Sequence, residues 1–246
     1  MKLRLNFKLM RSLIVLAALP LAGCSLVQPK NGSGNSSSSS KDGNTSSRSS
    51  DSSRAATSFS PSSDARKDVR DALLRLNTAY PYRLTETIEA TGNGQTIPGG
   101  TRVVEFAAAD RSHMKWNGGQ GEDVEAISIG DKHYWFSGGK WTEGAVSSPE
   151  RMNRGADFAK KLADTVREVK YLGHETVNGI SCYVYTGTYE MILGTQKWSG
   201  NAKVWIGADD GLIHQSDSDY HVANYGGKTH IVYEYNVDVK VEKPAM

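Results

Sequence analysis

The chain has 246 residues, 38% of them hydrophobic, with 29 Lys+Arg against 27 Asp+Glu. Four of the basic residues and none of the acidic ones lie in residues 1–23, which leaves 25 against 27 in the rest. That remainder carries no basic block suited to a phosphate backbone, so nucleic acid is excluded as a partner.

Lys2, Arg4, Lys8 and Arg11 precede the apolar run Leu13–Leu19. The run is far short of the ~20 residues that cross a bilayer as a helix. A basic start, a short apolar core and small residues make residues 1–23 a secretory signal. The junction Leu21-Ala22-Gly23-Cys24 resembles the bacterial lipoprotein signal. The resemblance implies cleavage before Cys24 and a diacylglycerol on its sulfur, with the membrane held through the lipidated N-terminus. Buried acyl chains contribute roughly 0.8 kcal/mol per CH₂, and two or more of them give stable anchoring. Ser25 stands where the enterobacterial sorting scheme places an aspartate for inner-membrane retention. An exported chain is expected, on the periplasmic side of the outer membrane in a diderm host and on the cell surface in a monoderm one.

Residues 24–61 are dominated by Ser, Gly, Asn, Asp, Lys and Arg. Such a tract buries too little apolar surface to offset the entropy of ordering, and a disordered tether is expected. Its root-mean-square span is on the order of 35 Å, and its full reach is roughly 120 Å. Residues 62–246 then make one domain of ordinary size.

Within the domain, Ala65, Val69, Ala72, Leu73, Leu76 and Ala79 recur at helical spacing. They predict a helix over Ser63–Tyr80, capped by Ser62 or Ser63 and stopped by Pro81. From Tyr82 the period changes to 2, with most apolar side chains on even numbers through Ala90. Further strands are predicted at Arg102–Ala109, Ser112–Trp116, Val124–Ile129 and Lys132–Phe136. Ser148-Pro149-Glu150 opens a second helix, with the stripe Met152, Ala156, Ala159, Leu162, Ala163 and Val166 on one face. Strands resume at Glu168–His174, Cys182–Tyr189, Lys197–Ile206, Leu212–Tyr220 and Thr229–Val241, with hairpin signals at Asn178-Gly179 and Asp210-Gly211. The fold class is α+β: one strongly curved antiparallel sheet of about ten strands, an open half-barrel with helices covering its concave side.

Catalytic and metal motifs are missing: no H-E-x-x-H, C-x-x-C, P-loop, G-x-S-x-G or Gly-rich dinucleotide turn occurs. His214, Ser216 and Asp217 are close in sequence, but neighbours on an alternating strand point to opposite faces. No catalytic residue, metal ligand or cofactor is assigned, and the chain is not expected to be an enzyme. Cys182 lies in an alternating strand and reads as a buried side chain rather than a reactive thiol. A widely curved sheet leaves a concavity that either side chains fill or a ligand occupies. The candidate lining is Leu84, Ile88, Val104 and Phe106 from the early strands, Trp116, Tyr134 and Phe136 from the middle, and Tyr183, Tyr185 and Trp205 from the later ones.

Two runs carry a resemblance. Tyr171–Tyr185, YLGHETVNGISCYVY, and Lys203–Ile213, KVWIGADDGLI, resemble segments of the LolA/LolB-like lipoprotein-carrier superfamily and its LppX/LprG-like relatives. The likeness spans residues 64–240. It implies a half-barrel with a helical lid over an apolar cavity for acyl chains. It also implies a lipid or acylated ligand, with an envelope protein as the alternative partner of a sensor or regulatory member. The matching motifs are turns and packing residues, so no lipid contact is carried over from them.

Overall fold

The computed structural model describes residues 58–93, 95–118, 122–145, 155–193 and 195–246. The signal peptide, Cys24, most of the tether, Ser148-Pro149-Glu150 and Met152 lie outside the described residues.

Helix α1 spans Ala65–Arg75 and helix α2 spans Gly155–Thr165. The strands are β1 (Tyr82–Gly92), β2 (Gln95–Ala108), β3 (Arg111–Gly118), β4 (Glu122–Ile129), β5 (Lys132–Ser137), β6 (Lys140–Ala145), β7 (Val166–Val177), β8 (Ile180–Leu193), β9 (Gln196–Gly207), β10 (Ile213–Val222) and β11 (Tyr225–Tyr235). All eleven form one antiparallel sheet in the order β6-β5-β4-β3-β2-β1-β11-β10-β9-β8-β7. The first six strands meander outward from β1. Beyond α2 the chain starts again at the opposite edge and returns strand by strand to lie beside β1. The edges β6 and β7 are not paired, so the sheet is open.

Helix α1 is shorter than the apolar spacing predicts. Its cap is Asp64, whose Oδ1 accepts from the Lys67 N–H at 3.0 Å, and its end tightens as Leu76 N–H donates to Leu73 O. Val69, Ala72 and Leu73 of α1 and Ala163 of α2 bury themselves against Tyr185, Val204, Ile206 and Ile213. Both helices therefore lie on one face of the β8–β10 half, called the inner face below. Asp68 secures α1 from beneath: its Oδ2 accepts from the Tyr185 hydroxyl at 3.0 Å and from the Ser62 N–H at 2.9 Å. Phe59 also packs on this core, and its N–H donates to Ala208 O at 2.7 Å.

The first hairpin signal folds as a tight turn, and the second lies in a longer connection, residues 208–212. Asn178 and Gly179 both have positive φ, 51° and 81°, as a tight two-residue hairpin turn requires. In the β9–β10 connection, Asp210 Oδ1 accepts from Leu212 N–H at 2.9 Å, and its Oδ2 lies 3.0 Å from His214 Nε2. Burial alone would raise the Asp210 carboxyl. The His214 ring and the Leu212 N–H outweigh it and hold the group below the ordinary carboxylate range.

Three differences from the sequence reading have physical causes. Strand β6 is an added strand: Lys140–Ala145 has little apolar content, and its signal is the Gly138-Gly139 turn, both residues with positive φ. Strand β2 begins at Gln95, ahead of the predicted Arg102, and runs through a register shift opposite Ile88–Ala90. Pro98, which lacks an N–H, sits at that shift. Strand β11 stops at Tyr235 because Asn236 adopts φ 57°. The alternating run 237–241 then crosses to the outer face, where Val239 and Val241 pack with Ile127 and Tyr134.

Gly99 is required at the shift, because a Cβ there would run into the Ile88 carbonyl oxygen. Backbone cannot retreat as a flexible side chain can. Gly99→Ala is expected to cost about 1–3 kcal/mol, read as a lower urea midpoint with an unchanged slope.

Candidate functional site

The hollow on the inner face follows from which side chains share a cross-strand row. Arg102, Glu86, Ile231, Ser216 and Val204 are successive partners across β2, β1, β11, β10 and β9. The next row holds Gly100, Ile88, Thr229, Ser218 and Ala202. Thr229, Ser218 and Ala202 are short, as is Ser216 in the row before, and bulkier side chains stand farther out along the strands on both sides. On one side lie Tyr82, Leu84, Val104 and Phe106. On the other lie Met191, Trp198, Tyr220 and Val222. Short side chains between bulky ones leave volume unfilled.

That volume is a cavity of ≈ 210 Å³, bounded by β1, β2, β7–β11 and both helices. It has room for on the order of fifteen water-sized spheres. Strands β2 and β7 both reach its wall, through Phe106 and Val169. In a flat sheet they would stand about 29 Å apart, at ~4.8 Å per strand. A curled sheet brings them around one space. Val69 and Leu73 of α1, Leu76 just past its end, and Ala159 and Leu162 of α2 also line it. The lining is mainly aliphatic and aromatic. Its charged members are Glu86 and Arg102, ion-paired with each other and 6% and 4% exposed.

Of the predicted lining, the structure brings Leu84, Ile88 and Phe106 to the cavity. Val104 is buried with Leu84 and Phe106 but does not reach the space. The Trp116 ring lies against the positions of Gly100 and Gly118. Tyr185 is fully buried below α1, and Tyr183 packs edge-on to Phe59 with centroids 5.9 Å apart. Tyr134, Phe136 and Trp205 are corrected outright, because strand alternation turns them to the outer face. Tyr134 packs with Ile127 and Val241, and Phe136 packs with Trp141. Trp205 joins Cys182 and Val184 and donates from Nε1 to Glu175 Oε2 at 2.8 Å.

Aromatic content alone could not reveal the faces. Met191, Trp198, Tyr220 and Tyr233 line the cavity, yet none of them is in the predicted lining. Glu86 and Arg102 had a plainer signal. Each is a charged residue in phase with the apolar positions of its strand: Glu86 between Leu84 and Ile88, and Arg102 two before Val104.

The hydrolase-like residues do not converge. His214 is engaged by Asp210 at 3.0 Å, while Asp217 pairs with His230 at 2.6 Å. Among the described residues no group of three or more His, Cys, Asp or Glu could hold a metal ion. Cys182 is fully buried, and burial pushes its thiol up to about 11, with Asp210 adding to the effect. The thiolate is the reactive form. Iodoacetamide at pH 8 should therefore leave Cys182 unmodified in the native protein and alkylate it once urea unfolds the chain, as intact mass would show.

An open antiparallel sheet with two helices on one face is the LppX-like fold. The structure superposes on the lipoprotein LppX of Mycobacterium tuberculosis with a TM-score of 0.52 at 20% identity, covering 72% of this chain and 98% of LppX. It superposes on LprF of Mycobacterium bovis with a TM-score of 0.53 at 14% identity, covering 76% of this chain and all of LprF (100%). No protein-family model and no curated protein sequence matches the chain.

Proposed function

We infer that the protein binds the acyl chains of a lipid in this cavity and carries or presents them while anchored to a membrane of the cell envelope. The observation that supports the reading is the hollow itself. A partly open, mainly apolar hollow of ≈ 210 Å³ keeps apolar side chains short of dispersion contacts unless something apolar fills it. Hydrocarbon is the filling that its lining favours. In this reading α1 and α2 cover the concave side as a lid, and the lipid enters without covalent chemistry, so the protein is not an enzyme. The sequence at Cys24 supplies the anchor, the serine-rich tract the reach, and the exported face of a membrane the location. An envelope regulator on the same fold would bind its partner through an outer surface and would gain nothing from a hollow. The unfilled cavity therefore favours the lipid over that alternative.

A fluorescent acyl probe tests the reading. Saturable binding of one probe per chain, with blue-shifted emission reversed by excess fatty-acid ester, is expected. Emission that rises without saturation, or that the ester leaves unchanged, would rule the cavity out as a lipid site.

A further inference from the structure

The cavity wall is not uniform. Its two apolar groups, Tyr82 with Phe106 and Trp198 with Tyr220, belong to separate clusters. Between them run the rows that carry the Glu86–Arg102 ion pair and the hydroxyls of Ser216, Ser218 and Thr229. Ser218 Oγ and Thr229 Oγ1 are 2.7 Å apart. Burial raises the phenols of Tyr233 and Tyr220, Glu86 raises both further, and Arg102 offsets part of the rise at Tyr233. Within the one cavity a polar band thus separates two apolar groups of lining side chains.

The ion pair is a poor choice for stability alone. Strands β1 and β2 are already joined by a ladder that runs unbroken past the pair, from Tyr82 to Ile88. A buried pair also contributes little beyond what apolar side chains of similar volume would give. Its position does constrain what can lie across it. A plain hydrocarbon would leave charged and hydroxyl groups facing methylenes, which is costly. An anionic headgroup would meet Glu86 and find Arg102 already neutralised. An uncharged hydroxyl or ester can hydrogen-bond to the pair and the hydroxyls without adding charge, while hydrocarbon lies against the apolar groups on both sides.

We propose that Glu86 and Arg102, with Ser216, Ser218 and Thr229, form a selectivity site for a lipid that carries an uncharged hydrogen-bonding group flanked by hydrocarbon on both sides. The proposal rests on the lipid-cavity reading above.

The test uses the full chain and two probes that compete with a fluorescent acyl ligand: methyl stearate, and the same ester bearing one mid-chain hydroxyl. The readout is the ratio of their dissociation constants, compared between wild type and the double variant Glu86→Leu/Arg102→Met. Hydrogen bonds to charged groups make the expected shift in that ratio about tenfold or more, against the hydroxylated ester in the variant. A role confined to structure would weaken both esters alike and leave the ratio unmoved. Should the double variant fold poorly by circular dichroism, Ser218→Ala/Thr229→Val carries the same test and should move the ratio in the same direction. Binding of both esters with a ratio that stays within about twofold in the variants overturns the selectivity site alone. Wild type that binds neither ester overturns the lipid-cavity reading, and the selectivity site with it.

Discussion

Ser218→Phe is expected to weaken binding of an acyl ligand by ~15–60-fold while the protein stays folded. Ser218 stands in the row of short side chains that creates the hollow, between Thr229 and Ala202. A phenyl ring there points into the hollow and gives up the Ser218–Thr229 hydroxyl contact, so its cost to the fold falls within about 1–3 kcal/mol. Each methylene of ligand that it excludes loses about 0.8 kcal/mol, and a ring excludes two or three, which sets the factor. Thr87→Phe is the control. Thr87 lies one residue out of phase with Glu86 and Ile88 on β1 and is exposed. The same ring added on the outer face should leave binding unchanged. Titration of both variants with a fluorescent acyl probe separates lost volume from a general effect of added bulk.

The second large effect is on stability. Asp68→Ala is expected to destabilise the fold by about 3 kcal/mol, or ~6–12 °C in Tm for a domain of this size. The carboxylate is buried beneath α1 and accepts both the Tyr185 hydroxyl and the Ser62 N–H. Its removal leaves a buried hydroxyl without its acceptor and frees the segment leading into the helix. Tyr185→Phe removes only one of the two bonds and should cost about half as much. The double variant should cost less than the sum of the two, because they share that bond. Urea unfolding of the four proteins gives the cycle. Strict additivity would show that the Asp68–Tyr185 contact contributes nothing to the fold.

Much of the fold was legible because period and turn chemistry are local. The change from helical spacing to alternation after Pro81, the Asn178-Gly179 turn and the stripe of α2 each announce their element within a few residues. What alternation cannot convey is which phase of a strand faces the helices. That depends on pairing between strands far apart in sequence, as with β1 and β11, where Glu86 meets Ile231. Residue type alone sends Tyr134 and Trp205 to the wrong face, whereas Leu84 and Ile88, in phase on β1, line the cavity together with Phe106. The C-terminal run 237–241 misled in another way. It alternates like a strand, but the left-handed turn at Asn236 carries it across the sheet, and its valines cover Ile127 and Tyr134. The Glu86–Arg102 pair broke the pattern openly, as charges in apolar phase. Such a break in an otherwise consistent strand is where function is to be sought.

Native mass spectrometry of the purified protein, followed by extraction with organic solvent, tests the central claim most directly. A lipid-carrying cavity predicts a population heavier than the protein by the mass of one lipid, lost after extraction and restored when lipid is added back. A single unliganded mass that added lipid does not shift would contradict it.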